Sequence, residues 1–476
     1  MNRVQLCWLR NDLRSHDNKA LSRAREQGPV VAVWLVSEQT WREHLDAPMK
    51  IDFWLRNLAS LQQRLQQRGI PLRILHCPRW QDAADCLLQL AGELQAAGLH
   101  FNAEYGIHEQ QRDDACLIAF RQAGLQADSY HDQLLFPPGS LLTRSGSMFK
   151  VYSQFRKLAI ATLHQRLPRC LAEPEPQPPL AISSDAIPQL PGLADASALQ
   201  RQLWPAGEAA AQQRLQQFCE DSLHAYSEQR DRPDLDGTSR LSPYLASGVI
   251  SVRQCLHAAM RCNQGELDSG NRGVQTWVNE LLWREFYKHI LVAYPHVSRH
   301  RAFRPETEAV AWRNDPKALE AWQQGRTGYP IIDAAMRQLL ATGWMHNRLR
   351  MLSAMFLTKN LLIDWREGER WFMQHLIDGD LAANNGGWQW SASTGTDAAP
   401  YFRIFNPVTQ AQKFDPNGDF IRHWLPELAS RPTSLIHQPL PAADLFGASD
   451  YPPPLVELSA SRQRALDAFK NLGETR

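Results

Sequence analysis

Residues 378–407 read DGDLAANNGGWQWSASTGTDAAPYFRIFNP. Asn384, Asn385, Gly386 and Gly387 stand in a row. That composition disfavours a core helix and a strand, and it predicts a sharp turn that a ligand can approach closely. Trp388 and Trp390 follow at once, and large aromatics beside a turn suit a flat partner. Asp378 and Asp380, just upstream, need hydrogen bonds if buried. Composition by itself slightly favours a plainer reading: a glycine turn between two helices with ordinary core tryptophans.

The order of residues says more. GDLAANNGGWQW followed by TGTDAAPYFRIFNP closely resembles the flavin-binding segment of the DNA photolyase and cryptochrome family, over a long and nearly gap-free run. Within it the likeness is to class I photolyases that act on cyclobutane pyrimidine dimers. The resemblance implies a light-driven carbon–carbon lyase with FAD as cofactor, active in its reduced anionic form. UV-damaged DNA is the implied partner.

The chain has 476 residues, more than one compact core organises, so two or three domains are expected. Lys+Arg 51 against Asp+Glu 50 leaves a formal charge of +1, so any nucleic-acid contact must come from a local basic patch. The 8 cysteines include no Cys-x-x-Cys pair, which argues against a metal site or a disulfide framework and fits a reducing cytoplasm. The first apolar run is too short for a signal peptide. None approaches the roughly 20 residues that span a bilayer. A cytoplasmic monomer needing neither membrane nor protein partner is the expectation.

Upstream, strand-like runs at 4–9, 30–36, 71–76 and 99–103 alternate with helical patterns at 50–68, 81–97 and 109–124. In 50–68, Ile51, Leu55, Leu58, Leu61 and Leu65 share one face, and Gly69 stops the helix. This alternation predicts an α/β N-terminal domain with a parallel, Rossmann-like sheet. Neither GxGxxG nor GxxxxGK is present, so the usual nucleotide sites are not expected. WLRNDLRSHDNKAL, from Trp8 to Leu21, resembles the first strand and loop of the same family, whose first domain holds a light-harvesting antenna. By that likeness His44, His108 and Glu109 would bind the antenna. His108 departs from the Asn expected there. 5,10-Methenyltetrahydrofolate is the implied antenna, with a deazaflavin or none as alternatives.

Pro-rich segments between Arg166 and Ser197 break the helical period and mark a connector. The expected organisation is 1–135 antenna-binding, 136–203 connector, and 204–476 a large all-α FAD- and DNA-binding catalytic domain. Helices are expected at 214–227 and 275–290, the latter with Leu282, Phe286 and Ile290 inward. Ser242–Pro243 reads as an N-cap followed by Pro at the first helical position. Met345, Leu349, Leu352 and Phe356 form a further core stripe. Residues 439–455 read as a surface tail.

Carried residue by residue, the resemblance assigns Tyr226, Thr238, Ser239, Arg240, Leu241, Ser242, Trp277, Arg350, Asp378, Asp380 and Asn384 to FAD, with Asn384 at flavin N5. Glu280, Asn384 and Met351 are the implied catalytic residues. Glu280, Trp283, Asn347, Met351 and Trp390 would meet the dimer. Arg230, Arg284 and Arg348 would meet DNA, and Lys359 is among further cations that could ring the pocket. Trp388, Trp365 and Trp312 match the family's electron chain; their spacing alone carries no geometric message.

A cyclobutane dimer is opened by one added electron, which a cofactor must supply. A dimer is already poorly stacked, so flipping it out costs less than for normal bases. Two rivals stand. A cryptochrome-type receptor often carries a long tail, and the short stretch after the helical region argues for an enzyme. A (6-4) photoproduct enzyme needs a histidine acid, and His346 adjoins Asn347.

Overall fold

The computed structural model describes residues 3–440, 451–470 and 472. Residues 441–450 of the expected surface tail lie outside them. The chain divides into two compact units. Unit one comprises 1–224, 239–295 and 377–380; unit two comprises 225–238, 296–376 and 381–476.

Unit one is built on five parallel strands in the order β3-β2-β1-β4-β5. They are β1 (Gln5–Leu9), β2 (Val30–Val36), β3 (Leu72–His76), β4 (Gly98–Asn102) and β5 (Gln126–Tyr130). β1 is central, with Gln5 opposite Val30 on one side and Gly98 on the other. Every residue of β1, β2 and β4 is buried, as strands covered on both faces must be. The α/β expectation is met. β5 was not anticipated, because QADSY is a polar edge strand without an apolar run. The helix Pro48–Gln67 buries all five expected apolar residues. The expected helices 81–97 and 109–124 are Ala83–Glu93 and Ile107–Gln122.

The Pro-rich connector is tied down. Gln177 bonds Val30 and Gly69 through its side chain, and Asp185 accepts from Arg73 and from Ile74 N. Two helices join the sheet unit through buried polar groups. In the helix Val252–Arg261, Arg253 pairs with Asp17 at 2.8 Å and Asp132 at 2.7 Å. In the helix Arg272–Ala293, Glu285 accepts from Leu135 N and Phe136 N. The helix expected at 214–227 runs Glu208–Asp221, because Ser222 ends it and a short 3₁₀ turn follows.

Unit two is helical. Its core gathers Met345, Leu349, Leu352 and Phe356 with Trp322, Trp365, Phe372 and Trp388. The helix Asn347–Met355 passes into a π-helical turn, Phe356–Asn360. Among the described residues no helix is long and apolar enough to cross a membrane, and no cluster of three or more His, Cys, Asp or Glu could hold a metal.

Candidate functional site

The asparagine–glycine row is helical, not a turn. Leu381–Ala392 forms one continuous α-helix, and neither Gly386 nor Gly387 has a positive φ. Tertiary hydrogen bonds override the local preference. Asn385 donates to the Glu369 carboxylate at 2.9 Å, and Asn384 donates to the Glu369 backbone carbonyl at 2.9 Å. Gln389 donates to the Asn385 side-chain oxygen at 2.8 Å and accepts from Phe303 N at 2.7 Å. Glu369 belongs to the neighbouring helix Trp365–His375 and is 1% exposed. Its second oxygen lies 2.9 Å from Nδ1 of His300. That contact, first through the hydrogen bond, raises the His300 pKa.

Close approach comes at a different glycine. A Cβ at Gly368 would fall within the Trp388 ring, so the two helices touch there. A Cβ at Gly387 would meet nothing within 4 Å. Gly387 is three residues from Asn384, on a neighbouring part of the same face. The helix therefore offers an open patch beside an amide whose nitrogen is already used. The carbonyl oxygen of Asn384 is left to accept from a ligand's N–H, the chemistry that a planar ring carrying such a donor would need.

Other candidates lie in unit two. Trp388 is buried against Phe372 at 4.9 Å and Trp322 at 5.9 Å. Trp365 is buried with Arg366 over its ring at 4.7 Å. Trp312 is partly buried and meets Phe469 edge-on at 6.0 Å. Tyr226 is buried, with Arg230 5.6 Å over its ring, and Thr238 is partly buried. Asn347 is exposed one turn from the partly buried Met351, and Trp390 is partly buried. Arg348 pairs with Asp231 at 2.9 Å, so its charge is partly met internally. Arg350 donates to the Met345 carbonyl at 2.8 Å. Lys359 cannot ring any pocket. It is fully buried, bonded to Ala392 O and Ser393, with its ammonium 3.6 Å from the Phe469 ring centroid.

Unit one holds the remainder. Ser242 is the first residue of a five-residue helix, with Leu241 rather than Ser242 as the cap, because the turn closes one residue earlier. Ser239 accepts from Leu241 N at 3.4 Å, and Arg240 has φ 48°. On Arg272–Ala293, Trp277 is buried against Phe218 at 5.0 Å. Glu280 is partly buried. Trp283 stacks one face on Tyr152 at 3.7 Å and 11°. Arg284 points inward, donating to Gln133 O at 2.8 Å. Asp378 is buried, and Asp380 pairs with Lys288 at 2.6 Å.

His44 and His108 do come together, with ring centroids 5.6 Å apart, and Trp80 lies edge-on to His44 at 4.6 Å. Burial lowers the His44 pKa. Glu109 sits at the start of Ile107–Gln122, with its carboxyl folded toward Gly106. Its pKa is pushed up to about 7, by burial first and then by Glu104.

Glu369, Gln389 and Lys288 escaped the reading of the sequence. Glu369 lies 15 and 16 residues from its partners. Lys288 and Asp380 are 92 residues apart. No local pattern joins such pairs.

A unit built on a parallel five-stranded sheet and a helical unit make up a protein of mixed α/β and helical build. Residues 5–178 match the family described as DNA photolyase, and residues 277–471 match the FAD binding domain of DNA photolyase. The deoxyribodipyrimidine photo-lyase of Escherichia coli K12 is 44% identical over 473 residues, 98% of each chain. That of Vibrio cholerae is 43% identical, over 98% of this chain and 99% of its own. Among solved structures, a bacterial class III photolyase from Agrobacterium tumefaciens matches with TM-score 0.89 at 35% identity, covering 100% of this chain and 98% of its own. A Synechocystis cryptochrome matches with TM-score 0.85 at 29% identity, covering 98% and 99%. The chain belongs to the DNA photolyase family.

Proposed function

We propose that this protein is a class I photolyase that repairs cyclobutane pyrimidine dimers in DNA in a light-dependent reaction. The observation that carries the reading is that family membership spans both the sheet-containing and the FAD-binding segments of one chain. The chemistry that a bound reduced anionic FAD supplies is a single light-driven electron, returned once the two ring bonds have broken.

The residues around it bind and orient. The Asn384 carbonyl oxygen would accept from a flavin ring N–H, which would favour a reduced ring carrying that proton. Tyr226, Thr238, Ser239, Arg240, Leu241 and Ser242 hold the phosphate and sugar portion. Trp277, Arg350, Asp378 and Asp380 complete the cofactor set. Lys288 neutralises Asp380, so that carboxylate does not repel the cofactor's phosphates. Glu280 donates a hydrogen bond to the flipped bases when protonated. Trp283, through its face opposite Tyr152, Asn347, Met351 and Trp390 wall the lesion. Arg230 and Arg348 serve DNA, whereas the inward-pointing Arg284, held by Gln133 O, does not meet it directly, and Trp388, Trp365 and Trp312 re-reduce an oxidised cofactor.

The functional division follows 1–135, 136–203 and 204–476. A folate antenna, 5,10-methenyltetrahydrofolate, occupies the site at His44, His108 and Glu109. The enzyme works as a cytoplasmic monomer. His346 is buried, and its Nδ1 caps a helix by accepting from Arg348 N at 3.2 Å, which engages one of its two ring nitrogens.

Purified, FAD-loaded protein is incubated with a dimer-containing oligonucleotide under blue light and in darkness. Repair in light alone is expected. Equal repair in darkness, or binding of FAD with no repair in light, overturns the reading, the second outcome in favour of a receptor.

A further inference from the structure

Two half-buried thiols face each other in unit one. Cys219 stands in the last turn of the helix Glu208–Asp221, and Cys262 caps the end of the helix Val252–Arg261. These helices pack on one another. His224, just past Cys219, donates from Nε2 to the Cys262 carbonyl oxygen at 3.2 Å, so the end of one helix is tied to the end of the other. The Cys219 thiol interacts with the Cys262 sulfur as a hydrogen-bond pair. Burial first, and then Cys262, push the Cys219 thiol up to about 12. Cys219 therefore keeps its proton, and Cys262 is the sulfur left to attack.

The other cysteines do not offer this combination. Cys77 and Cys86 also interact, but Cys77 is fully buried in the core beside the sheet, out of reach of a reagent. Cys170 is exposed and Cys255 is buried.

Position along the chain gives the pair a role. Between Cys219 and Cys262 stand Tyr226, Thr238, Ser239, Arg240, Leu241 and Ser242. A bond between the two sulfurs would close that segment into a loop and restrict the ways in which it opens. In a reducing compartment such a bond is transient and responds to the thiol balance.

We propose that Cys219 and Cys262 form a reversible disulfide, made by exchange with a small disulfide of the glutathione class, that fastens the segment carrying these six residues. Its effect on the cofactor rests on the reading of those residues as FAD ligands. The Cys262 thiolate attacks one sulfur of oxidised glutathione and expels glutathione thiolate. Cys219 then attacks the Cys262 sulfur of this mixed disulfide and expels a second glutathione, its proton passing to an expelled thiolate. Two protein thiols are oxidised, and one small disulfide is reduced to two thiols.

FAD-loaded full-length protein is incubated in darkness with oxidised glutathione, alkylated, and mapped by mass spectrometry without reduction. A peptide pair joining Cys219 to Cys262 should appear, vanish with dithiothreitol, and be absent from C219S and C262S. FAD release, followed by flavin fluorescence after dilution, should slow about tenfold in the oxidised wild type. In both variants it should match the reduced wild type, with or without oxidised glutathione. Cys219 joined to Cys170 or Cys255 instead, or glutathione left on Cys262 with no internal bond, overturns the proposal. R240Q in the reduced protein tests the cofactor reading separately. If R240Q weakens FAD binding but the disulfide leaves FAD release unchanged, the fastening is overturned. If R240Q also leaves FAD binding unchanged, the reading of the six residues has failed, and the proposed effect on the cofactor falls with it.

Discussion

Asn384 donates its side-chain N–H to the backbone carbonyl of Glu369 across 2.9 Å. The bond fixes which end of the amide faces the neighbouring helix and leaves the oxygen for a ligand. In Asn384→Asp an acceptor would face that carbonyl. The variant should lose about 1–3 kcal/mol in chemical denaturation and should hold flavin in a different redox state, visible in its absorbance spectrum. Unchanged stability would show that the amide is not held there.

Glu369→Gln weakens the contact to His300. The His300 pKa, raised by that hydrogen bond, should fall toward its ordinary value, as read by NMR titration. The sign for stability follows from the raised pKa. The contribution is complete below the unfolded-state pKa of about 6.5 and is lost as pH rises through the higher folded value. The stability gap between wild type and variant should therefore be wider near pH 6 than near pH 9. His300 is 60% exposed at its side chain, so the change is small.

The two glycines should respond in opposite ways. Gly368→Ala drives a methyl into Trp388 and should cost about 1–3 kcal/mol, with a shifted tryptophan emission spectrum. Gly387→Ala meets no atom and replaces a poor helix former, so the cofactor-free protein should gain up to about 1 kcal/mol. The same methyl should weaken FAD binding, measured by flavin fluorescence. Undiminished FAD affinity would remove this patch from the cofactor site.

Burial pushes the Lys359 pKa down to about 7. Between that value and the ordinary 10.4 or so, the unfolded chain binds the proton more readily, so stability rises with pH across this window. Lys359→Met removes the buried charge. Its thermal stability relative to wild type should be most favourable below pH 7 and should lose that advantage above about pH 10. The Ala392 carbonyl, Ser393 and the Phe469 ring partly offset the burial cost, so a flat difference across pH would mean that they satisfy the charge fully.

Much of the fold was legible because burial leaves a periodic trace. VVAVWLV is buried throughout, and Ile51 to Leu65 line one helix face, since solvent sorts side chains by spacing alone. β5 left no such trace, because an edge strand can stay polar. At the site, the order of residues around Asn384 was enough to reveal the family, but local propensity gave the wrong backbone. A run of two asparagines and two glycines prefers a turn in isolation. It is helical here because Glu369, far off in the chain, accepts from Asn385 with its carboxylate and from Asn384 with its backbone carbonyl.

By itself, then, the sequence determined the elements that depend on neighbours along the chain: strands, helix faces and the family's ordered motif. Only the tertiary structure decided which glycine admits the Trp388 ring, which lysine is buried, and which carboxylate accepts from Asn385. Those outcomes depend on groups brought together from distant positions, whose hydrogen bonds and excluded volume outweigh preferences of about 1 kcal/mol per residue.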